Sequence, residues 1–188
     1  MDIKIAEDGE ILIKGPALMT GYYNLPEETA QAIDTDGWFH TGDIGEFEGK
    51  NLKITDRKKD LIVLGNGKNV APQPIESKLT TSPYIAEAVV LGDNMDHCVA
   101  LVIPNFEAVR AFLKLPEGEI LSQNADAKAL IKKEIDRINK TLAPFEMVKK
   151  HAILDAPFTL EGGELTPTQK VKRKVVKEKY ADQIKAMS

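Results

Sequence analysis

Residues 54–76 read ITDRKKDLIVLGNGKNVAPQPIE, and the chain changes character within this stretch. A charged cluster gives way to a short apolar run, LIVL, which is followed by a glycine-containing loop and two prolines. A short apolar run bounded by glycine is typical of a strand, and proline favours the first turn of a helix. The stretch therefore predicts a domain boundary near Asp56, with residues 1–56 on one side and 57–188 on the other.

The residues before this boundary predict β-structure. Glu10 to Lys14 (EILIK) alternates polar and apolar residues, as a half-buried strand does. A second strand region covers residues 38–47, and the LKITD run beyond the EGKN turn completes a hairpin pattern. Pro26 and the acidic residues after it indicate the start of a short helix.

The residues after the boundary predict helices packed on short strands. Two apolar runs, IAEAVVLGD and HCVALVIPN, lie about one turn apart and predict an antiparallel pair. Helical spacing covers residues 106–113 and again about 124–142, where one face carries Ala127, Leu130, Ile131, Ile135, Ile138 and Leu142. HAILD is strand-like, and a basic helix is expected from about Thr168, with Lys172, Arg173, Lys174, Lys177 and Lys179 facing water. The predicted fold class is α+β: a small domain of short sheets flanked by helices, preceded by a β-rich segment.

Composition narrows the class of protein. The chain has 188 residues, a hydrophobic share of 43% and a net charge of −4, so nothing attracts the whole chain to nucleic acid. No apolar run is as long as a transmembrane helix, and the first residues lack the apolar core of a secretory signal. The single cysteine, Cys98, lies in an apolar run and is expected to be a buried thiol. A cytoplasmic protein is predicted.

Four segments together resemble the AMP-forming acyl-CoA synthetases, most closely the long-chain fatty acid branch. They are GYYNLPEETAQAI (21–33), GWFHTGDIGEFE (37–48), the opening stretch (54–76) and ELTPTQKVKR (164–173). They occur in the order found in that family, and the resemblance covers nearly the whole chain. It implies a two-step reaction, in which a carboxylic acid and ATP give acyl-AMP and pyrophosphate, and coenzyme A then displaces AMP.

The resemblance assigns nucleotide contacts to Asp43 and Arg57. It places the ribose-binding aspartate at Asp43, where a carboxylate can accept hydrogen bonds from both vicinal hydroxyls. The alternative for the Thr-Gly-Asp segment is a plain turn. Arg57 matches the arginine that contacts the AMP moiety, its alternative being a solvated basic cluster. Lys59 corresponds to the hinge about which the small domain rotates between the two half-reactions.

The glycine-containing loop is expected to lie along the pantetheine tunnel during thioester formation. The resemblance carries this role to Gly65, Gly67, Lys68 and Asn69. By itself the pattern is a weak signal, because glycine also serves simple turns and the spacing of a phosphate-binding P-loop is absent. Glu76, in the helix that follows, is interpreted as a carboxylate that positions the helix.

Lys170 matches the lysine that the family brings to the substrate carboxylate and the α-phosphate. Joining two anions needs a cation at that point. Many relatives have Ser-Gly before this lysine, whereas this chain has Thr168-Gln169. The alternative interpretation is a lysine at the start of a basic amphipathic helix.

The resemblance also sets expectations for cofactors and partners. ATP or AMP, coenzyme A and Mg²⁺ are implied, with the Mg²⁺ ligands, the ATP-phosphate loop and the fatty acid channel mainly in a large N-terminal domain. No sequence resembling that phosphate loop occurs here, so the chain is expected to be a C-terminal fragment that is inactive alone. The alternatives are a separate subunit that completes an enzyme in trans, an interaction module, or part of an aryl-CoA ligase. The β-rich segment is expected to expose apolar residues and to allow self-association, and peripheral membrane contact stays open.

Overall fold

The computed structural model describes all 188 residues, and the chain divides into two compact units, Met1–Leu61 and Ile62–Ser188. The division lies a few residues beyond the boundary expected near Asp56. None of the helices combines the length and the apolar character needed to cross a membrane.

The first unit is a four-stranded antiparallel sheet with strands in sequential order. It contains β1 (Asp2–Ile5), β2 (Glu10–Lys14), β3 (Phe39–Glu48) and β4 (Asn51–Arg57), and α1 (Pro26–Ala32) lies between β2 and β3 in the chain. The predicted strand β2, the β3–β4 hairpin and the short helix are confirmed. Strand β1 was not predicted; it forms by pairing with β2, with Asp2 opposite Lys14.

The second unit contains two small sheets and five helices. Strands β5 (Ile62–Val63) and β6 (Asn69–Val70) form a hairpin, while β7 (Ile85–Leu91), β8 (Cys98–Pro104) and β9 (Val148–Ile153) form a three-stranded sheet in that order. β7 and β8 are antiparallel, as predicted, and β8 and β9 are parallel. The helices are α2 (Pro72–Leu79), α3 (Phe106–Leu113), α4 (Ala125–Asn139), α5 (Arg173–Lys179) and α6 (Ala181–Ala186).

Strand β8 is the centre of the second unit, and all seven of its residues are buried. Its side chains alternate between two apolar clusters. One cluster joins Cys98, Ala100 and Val102 to residues of α2 and to the predicted apolar face of α4. The other joins Val99, Leu101 and Ile103 to Val176 of α5 and to Met187. The sheet is therefore covered on both faces, as its continuous apolar strands require.

Burial of Cys98 confirms the prediction of a structural thiol. Its side chain is fully enclosed, and burial, aided by the charge of Glu146, raises the pKa of the thiol to about 11. A thiol with such a pKa stays protonated at neutral pH and is a poor nucleophile.

The segment around Lys170 corrects the prediction of a helix from Thr168. It is a tight hairpin closed by a bridge between Leu165 and Val171, and the helix begins only at Arg173. The amide of Thr166 donates to the carbonyl of Lys170, and the amide of Lys170 donates to the Thr166 hydroxyl. Gln169 adopts φ 59°, the left-handed conformation that glycine takes most easily. The hydrogen bonds of the turn therefore delay the start of the helix to Arg173.

Gln169→Gly is expected to stabilise the second unit by about 1 kcal/mol, because glycine removes the steric cost of the left-handed backbone. Urea unfolding followed by far-ultraviolet circular dichroism measures this, since five of the six helices lie in this unit. Gln123→Gly is the matched control, because Gln123 is also exposed but does not have a positive φ. Equal free energies of unfolding for the two variants would contradict the strain assigned to Gln169.

Candidate functional site

Asp43 and Arg57 form an ion pair across the β3–β4 hairpin. They are directly opposite in the register, and Arg57 Nε lies 2.9 Å from Asp43 Oδ1. The Asp43 side chain is 23% exposed and that of Arg57 is 55% exposed, so the pair is open to solvent on one side. Arg57 Nε contacts one carboxylate oxygen, Oδ1, and a carboxylate has a second oxygen that can accept hydrogen bonds. The two predicted nucleotide contacts are thus brought together.

The backbone around Asp43 is shaped by two glycines. Gly42 has φ 70°, and a bulge shifts the register between Ile44 and Gly45. A β-carbon at Gly45 would lie 2.5 Å from the carbonyl oxygen of Lys53, so no larger residue fits without moving the strand. Bulges of this kind re-aim neighbouring side chains. The plain-turn alternative for Thr-Gly-Asp is wrong, because the segment lies inside strand β3.

A buried carboxylate, Glu10, holds this part of β3 in place. Its side chain is 4% exposed and accepts a hydrogen bond from the Gly42 amide (2.9 Å). The other carboxylate oxygen lies 2.9 Å from both His40 Nδ1 and Lys58 Nζ. Burial raises the pKa of Glu10, but the hydrogen bonds from Lys58, His40 and Gly42 outweigh it and hold the pKa below its ordinary value.

The predicted hinge lies in a single 3₁₀ turn, Lys58–Asp60. Lys58 is anchored by Asp8 Oδ2 (2.7 Å) as well as by Glu10, whereas the side chain of Lys59 is exposed. The residue before the expected pivot is therefore fixed to the first unit by two carboxylates.

The glycine-containing loop is the turn of the β5–β6 hairpin. The Gly67 amide donates to the carbonyl of Leu64, and the Asn66 side chain accepts from the Lys68 amide. Gly67 has φ 80°, and open space surrounds the position of a β-carbon there. The Lys68 ammonium lies 4.6 Å from the centre of the Phe145 ring, a cation–π contact. Gly65, Gly67 and Lys68 thus share one ordered turn, and the exposed Asn69 begins β6.

Lys170 is exposed and forms no ion pair within the chain. The base of its hairpin is held by Glu164, a buried residue whose carboxylate accepts hydrogen bonds from Lys179 and from the Thr159 amide. The Lys172 amide also donates to the Glu164 carbonyl (2.7 Å). A solvated ammonium on a fixed turn can contact an anionic ligand without first leaving a carboxylate partner.

Two groups important for this arrangement were not identified from the sequence. Glu10 lies far along the chain from both Gly42 and Lys58, and Arg173, expected to face water, is largely buried against Glu76. No local pattern marks either residue, because each is defined by a partner distant in sequence. No cluster of three or more His, Cys, Asp or Glu residues in the structure could hold a metal ion.

Glu10→Gln is expected to weaken the pH dependence of the free energy of unfolding of the first unit in the acidic range. A carboxyl group whose pKa is lowered by folding contributes stability above its ordinary pKa, near 4.5, and loses that stability as the pH falls through the lower folded value. The parent chain should therefore lose free energy of unfolding below about pH 5. Urea titrations at several pH values, followed by fluorescence of the single tryptophan, Trp38, measure this for the first unit. Glu46→Gln, at an exposed glutamate, is the control, and an unchanged pH slope in Glu10→Gln would contradict the role of Glu10.

Known proteins with related sequences are long-chain fatty acid ligases. In an alignment 192 positions long, the chain is 40% identical to long-chain-fatty-acid–CoA ligase FadD15 of Mycobacterium tuberculosis. The alignment covers 98% of this chain and 32% of the relative. The chain is 37% identical over 185 residues to human long-chain-fatty-acid–CoA ligase 1, covering 94% of this chain and 26% of the relative. The chain thus spans about a third or less of the length of these relatives.

Solved structures and family models agree with this relationship. The fold is similar to the A domain of carboxylic acid reductase from Segniliparus rugosus, solved with AMP and a co-purified carboxylic acid (TM-score 0.78, 30% identity). The match covers 95% of this chain and 28% of that one. Residues 59–188 match the model of the AMP-binding enzyme C-terminal domain. Since this match accounts for more than half of the residues, the chain belongs to the family of AMP-binding enzyme C-terminal domains.

Proposed function

We propose that the chain forms the C-terminal part of a long-chain fatty acid–CoA ligase, which converts a fatty acid, ATP and coenzyme A into an acyl-CoA by way of acyl-AMP. Residues 1–56 would end the large adenylating domain, and residues 57–188 would form the mobile domain. The observation that carries the proposal is Lys170, which has no ion-pair partner and lies beside the turn of a hairpin whose base is held by Glu164.

The proposed role of Lys170 follows from the charges in the first half-reaction. The fatty acid carboxylate attacks the α-phosphorus and the bond to the leaving pyrophosphate breaks, so two anions approach and negative charge accumulates on the phosphoryl oxygens. The Lys170 ammonium would contact the carboxylate and an α-phosphate oxygen, lowering the repulsion and stabilising the charge that develops. Because the hairpin is already ordered, little reorganisation is needed at the moment of reaction.

Asp43 and Arg57 would hold the nucleotide. The ribose hydroxyls donate to the Asp43 carboxylate, and the neighbouring guanidinium of Arg57 contacts an oxygen of the AMP moiety. The ion pair between them supports this assignment, because it orients the carboxylate before the nucleotide arrives. Glu10 would keep the Gly42–Asp43 backbone in register.

The second half-reaction would use the glycine-containing turn. Rotation about Lys59 would remove Lys170 from the phosphate and bring residues 65–69 beside the pantetheine arm of coenzyme A. Gly65 and Gly67 suit this position because they lack side chains, so a narrow group can approach the backbone. Mg²⁺ would neutralise the ATP phosphates, but these residues provide no cluster for it, and no step here depends on it. A cytoplasmic location and self-association through the β-rich unit remain predictions.

The proposed role of Lys170 is tested by measuring the two half-reactions separately. The matching C-terminal part of FadD15 is replaced by residues 1–188, and pyrophosphate release and thioester formation from supplied acyl-adenylate are measured separately. Lys170→Ala is expected to slow adenylation about a hundredfold, the loss of roughly 3 kcal/mol of transition-state stabilisation, and to leave the thioester step unchanged.

Lys174→Ala is the matched control, because Lys174 is an exposed lysine of the adjacent helix α5. Equal slowing of both half-reactions by Lys170→Ala would contradict the assignment. Because the fatty acid channel is expected in the large N-terminal domain, the FadD15 portion sets the acyl specificity of the chimera, and the effect of Lys170→Ala tests the role of this chain alone.

A further inference from the structure

An ion pair joins the start of helix α5 to helix α2. Arg173, the first residue of α5, places its Nη2 2.6 Å from Glu76 Oε2, and the two side chains are only 15% and 16% exposed. The same arginine donates through Nη1 to the carbonyl oxygen of Val90 (3.1 Å). The other oxygen of Glu76 accepts the Val90 amide (2.7 Å). Arg173, Glu76 and the backbone N–H and C=O of Val90 therefore form a closed ring of hydrogen bonds.

This ring lies at the free edge of the three-stranded sheet and supplies backbone partners at Val90. β7 is an edge strand that pairs only with β8, so its outward amides and carbonyls need other partners. At Val90 the guanidinium and the carboxylate supply both, as a neighbouring strand would. On the same strand, burial and the negative charge of Glu76 raise the pKa of the Glu87 carboxyl group.

The ring lies close to Lys170 along the chain. Only two residues separate Lys170 from Arg173, and the Glu164 contacts hold the opposite side of the hairpin. The hairpin is therefore fixed at both of its ends, by Glu164 before it and by Arg173 after it. The tip between these anchors carries the left-handed Gln169 and has few contacts beyond the hydrogen bonds of the turn.

We propose that Arg173 is a positioning residue for Lys170, with Glu76 as its counter-charge and the backbone of Val90 as its fixed anchor. This rests on the proposed function of Lys170. The planar fork of arginine is required, because it contacts Glu76 and the Val90 carbonyl at once with two different nitrogens. A lysine offers a single ammonium and would lose one of the two contacts. Removing either contact frees the start of α5, and the hairpin then samples conformations in which Lys170 misses the phosphate.

The first experiment measures order in the hairpin of the 188-residue chain directly. Arg173→Lys is expected to speed amide hydrogen exchange at Gln169, Lys170 and Lys172 by about tenfold or more, while the amides of β8 keep the parent rates. Glu76→Gln serves as a second variant, because it keeps an acceptor for the Val90 amide but loses the charge. Arg137→Lys is the control, since Arg137 also pairs with a glutamate, Glu134, within α4.

Two outcomes of the exchange experiment would overturn the proposal. Unchanged exchange in the hairpin would show that Arg173 does not order it. Equal acceleration in β8 and in the hairpin would show a general loss of stability in place of local positioning.

The second experiment is a double-mutant cycle in the FadD15 chimera. Arg173→Lys is expected to lower the turnover number for adenylation about tenfold with little change in the KM for ATP, and to have no effect in the Lys170→Ala background. Equal slowing in both backgrounds would overturn the positioning role. Failure of Lys170→Ala to slow adenylation would instead reject the proposed function, while the exchange experiment would still test the effect of Arg173 on the hairpin.

Discussion

The second unit depends on strand β8 being buried on both faces. Every residue of β8 is shielded from water, so each face of the sheet needs a helical layer. Helices α2 and α4 cover one face, and α5 covers the other. The glycine-containing turn leads into α2 and the Lys170 hairpin leads into α5. The glycine-containing turn and the Lys170 hairpin are expected to act in different half-reactions. Because both faces of the sheet are covered, these two segments lead into helices on opposite faces.

The first unit is stabilised in a different way. Few of its apolar side chains are buried, α1 buries none, and Phe47 and Ile54 are largely exposed. One of its two buried charged residues is Glu10, whose carboxylate contacts the Gly42 amide, His40 and Lys58. Such a buried carboxylate is costly unless all of its partners are present, so the network specifies one arrangement of β2, β3 and the 3₁₀ turn. The geometry of Asp43 follows from that polar network more than from apolar packing.

Periodicity predicted the parts of the fold that are decided locally. The β7–β8 pair, α3 and the apolar face of α4 agree with the spacing of their apolar residues. The segment around Lys170 was wrongly predicted as the start of a helix, because hydrogen bonds with Thr166 set a turn there. The pairing of Asp43 with Arg57 could not be predicted without the register of β3 and β4. The burial of Arg173 could not be predicted either, because its partner Glu76 lies almost a hundred residues away. Residue types were thus readable from the sequence, whereas their partners were not.

The contacts that support Lys170 and Asp43 are compatible with the proposed rotation of one unit relative to the other. Lys170 is held through Glu164, Arg173 and Glu76, all within residues 62–188, whereas Asp43 is supported by Arg57 and Glu10 in residues 1–61. Supports that belong to the same unit as the group they hold would move with it, so the proposed rotation about Lys59 would not require breaking them. Under the proposed function, the side chains assigned to each half-reaction would stay ordered, and the rotation would need freedom only in the short segment after Lys58, which Asp8 and Glu10 hold. A lysine that must reach an anionic transition state and later withdraw is served best by a hairpin that is rigid within its own unit.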